Sequence, residues 1–82
     1  MDNPIGKVVH YYDKLGVAIV DLTSTSLKIG DELKFKRGEE EFAQKIESLQ
    51  VDHQEVEQVK KGDSFGLKVG QPTKPGTLVY MA

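Results

Sequence analysis

The sequence predicts an all-β domain: a small, closed, six-stranded barrel whose strands run mostly antiparallel. Three observations predict it. Apolar residues recur with period two in short runs, most clearly in Leu27-Lys28-Ile29-Gly30-Asp31-Glu32-Leu33-Lys34-Phe35 and again in Val59-Lys60-Lys61-Gly62-Asp63-Ser64-Phe65-Gly66-Leu67-Lys68-Val69. Alternation of this kind marks a half-buried strand, because successive side chains leave a pleated backbone on opposite faces. Glycine, proline, aspartate and serine punctuate the runs, and no long amphipathic helical stretch interrupts them. Finally, the chain has 82 residues and no cysteine, so packing alone must hold it. Closure suits so small a core, since it removes the exposed strand edges that would otherwise need shielding.

Taken in order, the strands are expected near residues 5–12, 16–22, 31–36, 41–51, 63–69 and 77–81, within one domain over 1–82. In the first, Ile5, Lys7, Val9 and Tyr11 share one face and Gly6, Val8, His10 and Tyr12 the other. Asp13-Lys14-Leu15-Gly16 is a turn, with Asp at its start and Gly at its close. Val17, Ala18, Ile19 and Val20 then follow as an almost continuous apolar run, the pattern of a strand covered on both faces. Thr23-Ser24-Thr25-Ser26 is a hydroxyl-rich loop. Leu33 and Phe35 point one way on the third strand, and Lys36-Arg37-Gly38-Glu39-Glu40 forms a hairpin tip.

Glu41 to Val51 fits two patterns. As a strand it puts Phe42, Gln44, Ile46 and Ser48 on one face; as a helix it aligns Phe42, Ile46 and Leu49. Local propensity leans towards helix, whereas the preceding Gly38 favours a hairpin partner strand. Residues 52–61 are a polar connection with Val56 and Val59 as its apolar points, either a short helical turn or an extended excursion pinned by the valines. The Pro- and Gly-rich segment 70–76 separates the last two strands.

Composition narrows the function classes. Eleven Lys and Arg stand against thirteen Asp and Glu, a formal net charge of -2, which argues against a broadly basic nucleic-acid-binding surface and leaves room for a local patch. The N-terminus shows neither a basic n-region nor an apolar h-region, and the longest apolar run, Leu15 to Val20, is too short to span a bilayer. A cytoplasmic protein with no membrane association and no cofactor is expected, and the chain has the look of an intact small protein.

Catalytic constellations are absent from the pattern. His53 sits among Asp52, Glu55 and Glu57 and reads as part of a solvated loop; His10 reads as a surface or rim residue. The Thr23–Ser26 hydroxyls have no activating base nearby in sequence. Asp31 and Asp63 each follow a glycine at a strand start, where a carboxylate bonds the turn backbone, and Phe35, Phe42 and Phe65 read as core. The patch best suited to binding combines Lys7, Lys34, Lys36 and Arg37 with Tyr12, for phosphate contact and stacking on an RNA or for a protein partner.

The two Gly-Asp stretches, with Ile46-Glu47-Ser48-Leu49 between them, resemble the second domain of translational GTPases such as elongation factor Tu and initiation factor 2. The resemblance runs from about Ile5 to Met81 and implies a six-stranded barrel, a strand over 41–51, and a module contacting tRNA, ribosomal RNA or a neighbouring domain. It also implies that Glu47 occupies the place of an acidic residue at the pocket for a terminal adenosine. The Gly-Arg-Val usual after the second strand is replaced by Asp21-Leu22-Thr23, and no phosphate loop or guanine-reading motif is present, so no nucleoside triphosphate is expected. Similar barrels are appended to enzymes, including a collagenase-like peptidase family active in RNA modification. The expectation is therefore a non-catalytic, translation-factor-like module that contacts RNA or a translation component. The alternative is a protein-interaction or accessory subunit of a separately encoded enzyme such as a collagenase-like peptidase.

Overall fold

The computed structural model describes residues 3–52 and 54–82; the reading of His53 as a loop residue lies outside them. The described residues form ten strands and no helix: β1 (Gly6–Tyr12), β2 (Val17–Leu22), β3 (Leu27–Lys28), β4 (Glu32–Arg37), β5 (Glu40–Lys45), β6 (Leu49–Val51), β7 (Gln54–Val56), β8 (Gln58–Val59), β9 (Ser64–Lys68) and β10 (Leu78–Met81). Eight of them make one antiparallel sheet in the order β5-β4-β10-β1-β2-β9-β6-β7, and β3 and β8 make a separate ribbon. The domain is all-β.

The closed barrel expected from the sequence is not what the strands build. The sheet curls around its core, but β5 and β7 remain unpaired edges. The run expected as one strand over 41–51 is divided: β5 pairs with β4, and β6 pairs with β9. Between them Ile46 leaves the ladder and is buried. The physical reason is a change of face. Phe42 and Gln44 keep period two, but the next buried residues are Ile46 and Leu49, three apart, which a continuous pleat cannot place on one side. The break leaves a seam between β5 and the segment after β9. The Gln44 side chain stitches it: its Nε2 donates to the Lys68 carbonyl at 2.6 Å and its Oε1 accepts from the Gly70 N–H at 2.7 Å. The edges themselves carry Glu40, Glu41 and Lys45 on β5 and only three residues on β7, features that discourage further pairing.

The repeated Gly-Asp stretches turn out to be one corner built twice. Asp31 N–H donates to the Lys28 carbonyl at 3.1 Å, and Asp31 Oδ2 accepts from the Lys28 N–H at 3.1 Å. Asp63 does the same with Lys60, at 2.9 and 3.0 Å. Gly30 (φ 101°) and Gly62 (φ 94°) hold the position of each turn that demands a positive φ. Each corner then embraces one buried residue with two backbone bonds. Gly30 N–H donates to the Ile46 carbonyl while Ile46 N–H donates to Asp31; Gly62 N–H donates to the Leu22 carbonyl while Leu22 N–H donates to Asp63. The corners are joined across the β3–β8 ribbon, where Leu27 lies opposite Val59, both buried. Within the stretch 52–61, Gln54–Val56 and Gln58–Val59 are short strands, and Val59 lies in the core.

One cluster fills the interior. Val8, Val20, Leu33, Phe35, Leu49, Phe65, Leu67 and Val79 come from six strands of the main sheet, and Leu27, Ile46 and Val59 close one end. A bulge between Val8 and His10 shifts β1 by one residue. The faces read from the sequence therefore change partway along: Tyr11 turns towards the core with Val8, while His10 and Tyr12 stay outside and Val9 is exposed.

Candidate interaction surface

Strand pairing decides which of the sequence-predicted residues meet. Lys7 and Lys36 lie on the outer face on either side of Leu78, because β10 sits between β1 and β4 and Leu78 pairs with both. Lys34 is next along β4, opposite Tyr80, and its Nζ is 3.3 Å from Glu41 Oε1. These lysines share one face. The other candidates do not join them. Arg37, at the end of β4, lines the seam with Glu40, Phe42 and Lys74, around a cleft of about 350 Å³. The Phe42 ring stacks on Phe35 at 5.0 Å there. Tyr12 stands at the far end of β1 beside Val17. Glu47 sits in the link between β5 and β6, where it lines a hollow with Glu55 and Glu57. Three carboxylates therefore border that hollow and make its rim acidic.

The sequence pattern does not reveal two features of this surface in full. Gln44 reads as a strand-face residue, yet its amide replaces the hydrogen bonds of a missing ladder; its residue type alone carries no signal of this. The second feature is an apolar stretch of the outer face of β2 and β9. Val17 and Ile19 are half-buried, Leu15 is 67% exposed at the hairpin tip, and Tyr12 is 46% exposed. The sequence does carry a signal here, since β2 reads as a strand covered on both sides.

Among the described residues, no group of three or more His, Asp or Glu is arranged to hold a metal ion. No helix among them is long and apolar enough to cross a membrane.

The strands define a small, all-β module whose sheet is not closed. No family model matches the sequence. It is 37% identical over 81 residues to an uncharacterized protease of Methanocaldococcus jannaschii, covering 94% of this chain and 19% of that protein. It is 31% identical over 77 residues to a collagenase of Porphyromonas gingivalis, covering 93% of this chain and 21% of the relative. The chain therefore spans about a fifth of the length of these curated relatives. Among solved structures, the C-terminal domain of a Geobacillus thermoleovorans putative U32 peptidase superposes with a TM-score of 0.87 at 26% identity, covering 95% of this chain and 98% of that one.

These similarities point to the C-terminal domain of the U32 peptidase/collagenase family. They overturn the resemblance to the second domain of translational GTPases, and the RNA-contacting reading falls with it. The structure explains why the motif misleads. Leu-Lys-Ile-Gly-Asp encodes a turn with a positive-φ glycine and a carboxylate bonded back to the chain. Those are requirements of backbone geometry and carry no information about a ligand.

Proposed function

We propose that this chain works as a non-catalytic accessory domain of a collagenase-like peptidase of the U32 kind, whether joined to that protein or met as a separate subunit. The observation that supports this most is one of extent. The chain corresponds almost end to end to a solved C-terminal domain, and to only about a fifth of relatives whose names mark them as proteases. A domain with this correspondence contributes by contact, and its sheet offers outward-facing rows of side chains for that purpose. Lys7 and Lys36, exposed beside the Lys34–Glu41 pair, are suited to guiding an acidic protein surface into register, a role that exposed charges fill better than they supply affinity.

Affinity capture from the source organism with the tagged chain, with and without ribonuclease, tests the reading. The expected result is one ribonuclease-insensitive polypeptide that matches the remaining four-fifths of the longer relatives, or, if the chain is naturally joined to it, that same polypeptide as its continuation. Recovery of RNA-dependent partners alone would refute it.

A further inference from the structure

We infer that the outer face of β2 and β9 is where the larger, remaining portion of a collagenase-like peptidase packs, an inference that rests on the function proposed above. Three features of different kinds meet at this face. The first is the strand itself. Val17, Ala18, Ile19 and Val20 are all apolar, the composition of a strand buried on both sides, yet the domain fully buries only Ala18 and Val20 and leaves Val17 and Ile19 half-covered.

The second is a glycine in the middle of a strand. Gly66 lies between Ile19 and Gln50 across the ladder, on the outward side of β9. A Cβ there would stand 3.3 Å from Val17 Cγ1 and 3.5 Å from Ile19 Cδ1. Interior glycines weaken a strand and mark a bulge, a bend or a place where another group comes close; here Val17 and Ile19 lean over the glycine and keep the face low. A hollow of about 300 Å³ lies over Gly66, with Tyr12, Leu15, Val17 and Ile19 as its apolar wall and Gln50, Asp52 and Ser64 as its polar one. Asp52 is the charged residue among them, and Lys68 stands beside the hollow, opposite Val17. The Tyr12 ring leans on His10, with centroids 4.4 Å apart, so it is positioned on the wall. An apolar centre with a polar margin is the anatomy of a protein interface.

The third feature selects the occupant. The curated relatives carry about four-fifths of their length outside the region this chain matches, so the missing cover has a source within the same proteins. The chemistry required of it is an aliphatic or aromatic protrusion that enters the hollow over Gly66.

Hydroxyl-radical footprinting reads side-chain exposure directly. The probe protein is the full-length Porphyromonas gingivalis collagenase with its matching segment exchanged for this chain, compared with the 82-residue chain alone. Labelling of Tyr12 and Leu15 is expected to fall several-fold in the exchanged protein, while Met81, 45% exposed at another strand end, keeps its labelling. Leu15→Asp in the exchanged protein is expected to restore labelling of Tyr12, and in the isolated chain to leave the melting temperature unchanged. If protection appears instead around Leu78 and Tyr80 while Tyr12 and Leu15 stay labelled, the inference is overturned and the accessory function stands. Absence of protection anywhere overturns both. If the isolated chain sediments as a dimer with Tyr12 and Leu15 already protected, a second copy is the occupant and the inference fails. Should the exchanged protein not fold, the unaltered collagenase is labelled instead. Protection at its positions aligned with Tyr12 and Leu15 supports the inference, and full labelling there overturns it.

Discussion

Replacing Gly30 or Gly62 with alanine tests whether the twin corners organise the fold. Their φ angles, 101° and 94°, lie where L-residues rarely go. A Cβ at either position would meet nothing within 4 Å, so crowding does not enter the cost. What remains is backbone strain, about 1–3 kcal/mol for a residue held in such a region. If the turn relaxes instead, it gives up bonds to Ile46 or Leu22, each worth about 1 kcal/mol, and the cost is similar. For a domain of this size that corresponds to a fall in melting temperature of roughly 5–20 °C. Circular dichroism melts of both variants give the value, and because the corners share one geometry the two should agree closely. A chemically synthesised chain with D-alanine at position 30 supplies the control, since a D-residue adopts a positive φ without strain and should melt at or above the unmodified protein. If L- and D-alanine destabilise equally, or if neither L-variant shifts the melt, the corner argument is wrong.

Two further outcomes follow from the packing. Gln44→Ala removes both bonds across the seam and should cost about 1–2 kcal/mol in urea unfolding, with faster amide exchange at Gly70. Leu33→Ala, at a fully buried site, should cost about 2–5 kcal/mol, a large share of the whole stability of so small a domain, and show it as a much lower urea midpoint.

Much of the architecture is readable from local pattern. Alternation places Leu33, Phe35, Phe65 and Leu67 in the core, and the Gly-Asp pairs mark their corners. Two things are not readable, for different reasons. Closure depends on which strand reaches which neighbour, and the break at Ile46 is a tertiary event: its N–H and C=O are claimed by Asp31 and Gly30, distant in sequence. The bulge in β1 likewise reverses faces that strict alternation assigns to Tyr11 and Tyr12. The surface is harder still. Lysines scattered along the chain converge only because β10, the last strand, inserts between β1 and β4. The apolar outer face of β2 is legible as composition, because Val17 and Ile19 continue the apolar run of Ala18 and Val20. The kinship is misread because a motif fixed by turn geometry recurs wherever that turn is useful.

Differential scanning calorimetry tests the accessory-domain account most directly. The melting of this chain alone is compared with its melting inside the full-length Porphyromonas gingivalis collagenase, where it replaces the matching segment. A domain that packs on its host gains the free energy of that contact only while folded, so its transition should move to higher temperature or merge with that of the host. A separate transition at the temperature of the isolated chain would contradict the account.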